Sequence, residues 1–138
     1  MTTVLITGCS TGIGFAIAET LSRNGYQVFA TMRNPGNSPK LAQLAEKDKL
    51  PITILTMDVD DSGSVQKAVD EVLALAAGID VLVNNAGIAP VGAVEEMPFE
   101  TFQAVFQTNY FGSLRCIQAV LPGMRERRSG HIINITSV

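Results

Sequence analysis

The chain has 138 residues, 46% of them hydrophobic, and no low-complexity stretch, which allows one domain with a real core and excludes two. Ten basic residues against thirteen acidic give a net charge of −3, and the densest basic cluster, Arg125-Glu126-Arg127-Arg128, reads as a solvated helix end, so no nucleic-acid surface is implied. No uninterrupted apolar run approaches the roughly 18 residues of a membrane span, and a strand-like run begins at once, leaving no room for a signal peptide and making the cytoplasm the default location.

In chain order, Val4-Leu5-Ile6 predicts a buried strand over Thr3–Ile6. Ile13, Ile17 and Leu21 then recur at helical spacing, predicting a helix from Gly12 to Asn24 that stops at Gly25. Between strand and helix lies Thr7-Gly8-Cys9-Ser10-Thr11-Gly12-Ile13-Gly14. Glycines at such a turn let backbone approach a phosphate, and the helix start offers unsatisfied N–H groups with partial positive charge. Alone, the same turn reads equally well as tight-turn punctuation.

A second strand follows over Gln27–Thr31, a short helix from Pro39 to Lys49 ending before Pro51, and a third strand over Ile52–Thr56. The third helix shows Val65, Val69, Val72, Leu73 and Ala76 on one face, with Asp61 or Ser62 to cap it and Gly78 to end it. Asp80–Val83 is the fourth strand. The longest helical pattern, Pro98 to Arg127, carries Phe99, Phe102, Val105 and Phe106, then Leu114, Ile117 and Leu121, with Asn109 in the middle and Pro122-Gly123 weakening its last turns. His131–Thr136 is the last strand.

Strands alternating with helices imply an α/β, Rossmann-like, doubly wound parallel sheet. Right-handed crossovers give the strand order 3-2-1-4-5 and put the ligand crevice at the carboxyl ends of strands 1 and 4. With strand 5 as the last element, Ile132, Ile133 and Ile135 would lie on an exposed parallel edge of the kind proteins cover. Residues 1–138 are therefore expected to be the dinucleotide-binding, N-terminal portion of a longer single-domain protein, truncated after strand 5. A natural short form is the alternative.

Two cysteines far apart, Cys9 and Cys116, form no metal-type pair, and no metal site is expected. Cys9 reads as a small filler in the turn and Cys116 as a core hydrophobe beside Ile117 and Val120. His131 is the single histidine, too little to support a Ser-His-Asp hydrolase. A P-loop lacks its Gly-Lys-Ser/Thr.

The TGxxxGxG spacing of Thr7–Gly14, with Asp58, Asn84-Asn85-Ala86-Gly87, Asn109 and Ser137 in order, resembles the classical short-chain dehydrogenase/reductase family over Thr3 to Val138. Gly8–Gly14 and Phe29-Ala30-Thr31-Met32-Arg33 are most similar to its hydroxysteroid and retinol dehydrogenase branch. The resemblance implies coenzyme contacts from Gly8, Ser10, Thr11, Gly12, Ile13 and Gly14, from Asp58 to the adenine amino group with the Val59 backbone beside it, and from Asn85, Ala86 and Gly87. A bare capping role is the plain alternative for Asp58, and Asp60 and Asp61 offer the same service.

Coenzyme choice turns on the end of strand 2. A carboxylate there accepts hydrogen bonds from the ribose hydroxyls of NAD and repels a 2′-phosphate. Met32 stands in its place, and Arg33 follows with a guanidinium suited to phosphate, so NADP is expected over NAD, although Arg33 also fits an ordinary surface arginine. The resemblance further implies that Asn109, in Asn109-Tyr110-Phe111-Gly112, holds a water of the proton relay, against the alternative of a merely helix-kinking residue. It implies too that Ser137 hydrogen-bonds the substrate oxygen, with Thr136 its rival by one position. The family's Tyr-x-x-x-Lys has no counterpart: Tyr26 and Tyr110 are followed four residues on by Ala30 and Leu114.

The function so implied is an NADP(H)-dependent oxidoreductase that interconverts a small secondary alcohol and a carbonyl, with these residues alone inactive. A non-catalytic dinucleotide-binding sensor is the alternative. The family's usual dimer-forming helix corresponds to Phe99–Leu121, so a homodimer or homotetramer is expected; the same aromatic spacing also suits a buried core face.

Overall fold

The computed structural model describes residues 1–137. Among them, strands β1 (Thr3–Ile6), β2 (Gln27–Met32), β3 (Ile52–Thr56), β4 (Val81–Asn84) and β5 (His131–Asn134) alternate with helices α1 (Gly12–Arg23), α2 (Lys40–Asp48) and α3 (Ser62–Leu75). A longer helical stretch follows β4: α4 (Phe99–Val105), a π-helical segment (Phe106–Gly112) and α5 (Ser113–Arg127). The strands form one parallel sheet in the order β3-β2-β1-β4-β5, as right-handed crossovers require.

Every residue of β1 is buried, because a central parallel strand is covered on both faces and its successive side chains point to opposite sides. Leu5 joins Phe29 and Leu82 in a core closed by Val65, Val69 and Val72 of α3 and by Cys116 and Val120 of α5. Val4 and Ile6, with Val28, Ala30 and Val83, face Ala18 of α1 and Leu41 of α2. The apolar runs read from the sequence are therefore the middle layer of a three-layer sandwich.

Helix ends follow local chemistry. Gly25 ends α1 in the left-handed region (φ +86°), which costs glycine no Cβ clash. Asp61 caps α3 by accepting the N–H groups of Gly63 and Ser64 at 2.8 and 3.2 Å. Gly78, expected to stop α3, does not: the helix ends at Leu75, where Ala76 is extended. Gly78 instead makes room for Arg127, whose guanidinium would lie 2.6 Å from a Cβ there and donates to the Ile79 carbonyl at 2.7 Å. Arg127 is thus anchored rather than simply solvated.

Three further expectations are corrected. Leu73 is exposed, and Ala68 takes its place on the buried face of α3 with Val65, Val69 and Val72. β5 ends at Asn134, two residues early, although the Ile135 N–H still reaches the Asn84 carbonyl at 2.9 Å. The long helix is not one α-helix: the π segment interrupts it around Asn109, whereas Pro122 sits on an exposed face and α5 continues past it.

The aromatics of that stretch are not core. Phe99, Phe106, Tyr110 and Phe111 are exposed, and the buried face of α5 is Cys116, Val120 and Met124, at every fourth residue. Ile133 and Ile135 are exposed on the β5 edge. Among the described residues no helix is long and apolar enough to cross a membrane. Both thiols are buried, and burial pushes each up to about 12, so neither supplies a nucleophile near neutrality.

Candidate functional site

Beyond β1 the chain turns into α1, and beyond β4 it leaves as an irregular loop; between them, at the carboxyl ends of the strands, lies a cleft of about 320 Å³. Thr7 joins its two walls. Its buried hydroxyl accepts the N–H groups of Asn85 and Ala86 at 3.0 and 2.9 Å, while the Asn85 amide donates to the carbonyls of Thr7 and Gly8 at 3.1 and 3.0 Å. The two strand ends are stitched together through side chains where the sheet ladder stops.

The glycines have separate tasks. Gly8 (φ +71°) lies against the β4 loop so closely that a Cβ would stand 2.8 Å from the Ala86 Cα. Gly14 is buried behind the turn, where a Cβ would overlap the Gly8 carbonyl oxygen and come 2.5 Å from the Asn85 Nδ2. Gly12 (φ +61°) has open space before it and is needed for its conformation. Thr11, the residue before α1, makes no capping bond through its side chain, and the first turn carries no acid. Thr11 and Ile13 of that helix start line the cleft, and a helix N-terminus not capped by its Thr11 side chain suits an anionic ligand.

Around this turn the cleft is lined by Ser10, Thr11 and an exposed Ile13, by Met32 and Arg33 at the end of β2, by Met57–Asp60 after β3 and by Asn85–Ile88 after β4, with Thr108 from the π segment. Ile13, read as part of the apolar stripe of α1, points into the cleft instead of the core. Met32 is buried at the last position of β2, and exposed Arg33 pairs with no carboxylate among the described residues. Asp58 does not cap α3, since Asp61 does. One of its carboxylate oxygens accepts the Asp60 N–H at 3.0 Å and its own N–H donates to the Ser64 hydroxyl at 2.9 Å, which fixes the carboxylate at the cleft wall. Val59 turns its side chain into the core, leaving its backbone to the cleft.

Asn109 stands behind this wall. Its Oδ1 accepts the Ile88 N–H and its Nδ2 donates to the Ile88 carbonyl, both at 2.8 Å, so the amide serves Ile88 as a second strand would. A Cβ on Gly87 would come 3.2 Å from that Oδ1. Ser137 lies three residues beyond β5, exposed and outside the cleft lining, on the carboxyl side of the sheet. His131 begins β5 at the opposite end, its N–H on the Asp80 carbonyl at 2.9 Å, so a strand separates it from Ser137 and no hydrolytic triad forms. Among the described residues no cluster suited to a metal occurs.

Of the expected site residues, Gly8, Ser10, Thr11, Ile13, Arg33, Asp58, Val59, Asn85, Ala86 and Gly87 share the cleft, whereas Gly12, Gly14, Asn109 and Ser137 flank it. Besides Met57 and Ile88 of the lining, the contributors with no assigned role in the sequence reading include Thr7, Thr108 and Arg115. Thr7 is signalled weakly, as a polar residue inside a buried run that must find partners. Thr108 and Arg115 bond to Asp60 and Val59, 48 and 56 residues away, and have no local signal.

The geometry agrees with a match of residues 2–138 to the family model described as short chain dehydrogenase. The chain belongs to the short-chain dehydrogenase family. This short-chain dehydrogenase chain is 44% identical to human retinol dehydrogenase 8 over 140 residues, covering 99% of the chain and 44% of the human protein. That agrees with the branch its glycine turn and β2 end resemble. Among solved structures it superposes on a short-chain dehydrogenase from Streptomyces avermitilis with a TM-score of 0.90 and 38% identity, covering 99% of this chain and 49% of that one. A gluconate 5-dehydrogenase from Burkholderia cenocepacia, solved with NADP and tartrate, gives 0.89 and 32%, covering 99% and 53%. The chain spans about half the length of the relatives it matches.

Proposed function

We propose that residues 1–138 are the coenzyme half of an NADP(H)-dependent oxidoreductase that interconverts a small secondary alcohol and a carbonyl. The observation that carries this is the cleft itself: a glycine-shaped turn and an uncapped helix start at one wall, with Met32 and Arg33 where an NAD-selective acid would stand. Bound there, the nicotinamide supplies hydride chemistry. The chain's residues position it: the turn holds the pyrophosphate, Arg33 meets the 2′-phosphate, Asp58 and the Val59 backbone face the adenine, and Asn85–Gly87 border the ribose. The NADP bound to the Burkholderia relative supports this choice.

Asn109 takes part through its backbone. Its side-chain amide is engaged by Ile88, so we assign the relay water to its main-chain carbonyl, which also accepts the Ser113 hydroxyl at 3.2 Å. The π segment that carries it is a departure of the kind often found at functional sites. Ser137 orients the substrate oxygen. Tyr26 and Tyr110 lack a lysine four residues on, so we expect these residues alone not to turn over. The exposed aromatics from Phe99 to Phe111 are read as the surface of a homodimer or homotetramer, to be checked by sedimentation of the full-length protein; a monomer at micromolar concentration would reject that surface.

Coenzyme choice has a direct test. Titrated with both reduced coenzymes, the full-length protein should bind NADPH at least about tenfold more tightly than NADH, roughly 1.4 kcal/mol. Met32→Asp should reverse the order by setting a carboxylate against the 2′-phosphate. Equal affinities in the unmodified protein would sink the assignment.

A further inference from the structure

Two irregular segments that wall the cleft are held by one helical stretch, the π segment and the first turn of α5. The first, residues 57–61 between β3 and α3, has its shape set internally: the Asp58 carboxylate accepts the Asp60 N–H, and the Asp58 carbonyl accepts the Asp61 N–H at 3.1 Å. Those bonds shape the segment without placing it relative to the opposite wall. The start of the segment is tied to β2 by the Met57 N–H on the Met32 carbonyl at 3.0 Å and to α3 by the Asp58 N–H on the Ser64 hydroxyl at 2.9 Å, while Val59 and Asp60 are placed by residues 108–115. The Thr108 hydroxyl donates to the Asp60 carboxylate at 2.8 Å. The Arg115 Nη1 donates to the Val59 carbonyl at 3.0 Å, and Gln107 steadies the guanidinium through its carbonyl and its Oε1 at 3.2 and 2.9 Å.

Between them the Gly112 backbone packs so near that a Cβ would stand 2.8 Å from the Val59 Cγ2. Thr108, Gly112 and Arg115 thus lie at spacings of four and three, on one side of the helical stretch. Asn109, one residue after Thr108, holds Ile88 on the other wall. The π turn therefore spans the cleft from behind.

We propose that Thr108 and Arg115 are positioning residues for the adenine end of the coenzyme, acting through Asp60 and Val59, an inference that rests on the coenzyme reading above. Both bonds are charge-assisted, one to a carboxylate and one from a guanidinium, and each fixes a neighbour of Asp58 in the adenine wall. Without them the 57–61 segment keeps its internal turn and its tie to β2, but Val59 and Asp60 lose their hold on the helical stretch behind the cleft, so the adenine pays for a rearrangement that the nicotinamide end does not need.

The test uses the full-length protein and two half-coenzymes, adenosine 2′,5′-bisphosphate and reduced nicotinamide mononucleotide, titrated separately by calorimetry. Thr108→Val and Arg115→Met should each weaken the adenine half about tenfold while the nicotinamide half stays within about twofold, and Thr108→Ser, which keeps the hydroxyl, should restore adenine-half affinity. If Arg115→Met does not fold, the Thr108→Val and Thr108→Ser pair carries the test. Unchanged adenine-half affinity in Thr108→Val, or equal weakening of both halves with a lowered Tm, would overturn the inference by leaving only packing. If the unmodified protein binds neither NADPH nor the adenine half, the coenzyme reading itself fails and takes this one with it.

Discussion

Gly14→Val in the full-length protein is expected to weaken NADPH binding by at least about a hundredfold, roughly 2.7 kcal/mol, and to lower stability as well. The new Cβ would overlap the Gly8 carbonyl and crowd the Asn85 amide, and those groups cannot simply withdraw. Asn85 holds the carbonyls of Thr7 and Gly8 together, and its N–H is tied to the Thr7 hydroxyl. Overpacking of a rigid site costs about 1–3 kcal/mol, and each displaced hydrogen bond about 1 more. Gly12→Ala is the informative comparison for stability: its Cβ meets no protein neighbour, so its cost in folding is the left-handed backbone alone, about 1–2 kcal/mol. Fluorescence titration with NADPH, alongside circular dichroism to confirm folding, measures both. A folded Gly14→Val protein with undiminished binding would place the pyrophosphate elsewhere.

What was legible in the sequence is what local physics sets. β1 and β2 are buried on both faces, so they read as continuous apolar runs, and strands alternating with helices leave few topologies for the sheet. Gly25 and Asp61 were legible because a left-handed stop and a helix cap depend on the residue and its immediate neighbours. The π segment was not, since the partner that Asn109 finds from it is Ile88, 21 residues back. Gly78 misled for the same reason: its partner is Arg127, and a glycine needed for close packing looks in sequence like a glycine needed for a turn. The aromatic spacing of Phe99–Phe106 suited core and interface alike; only the placement of Cys116, Val120 and Met124 against α3 shows that the core lies on another face.

Ser137→Ala in the full-length protein should lower kcat by about two to three orders of magnitude, the range seen when one hydrogen-bond donor to a developing oxyanion is removed. It should leave NADPH affinity within about threefold, because Ser137 does not line the coenzyme cleft. Its position relative to the cleft is nonetheless fixed. The end of β5 is tied to the end of β4 by the Asn84 amide on the Asn134 Oδ1 at 2.9 Å and by the Ile135 N–H on the Asn84 carbonyl, and Asn85 follows immediately into the cleft wall. Ser137, two residues past Ile135, is thereby on the carboxyl side of the sheet, the same side as the cleft, as the role proposed for it requires. Because Thr136 is one position away and also carries a hydroxyl, Thr136→Val is measured beside it on an alcohol and carbonyl pair that the unmodified protein interconverts. Loss of kcat in Thr136→Val with full activity in Ser137→Ala would move the role by one residue; undiminished kcat in both would remove the strand-end hydroxyl from the reaction.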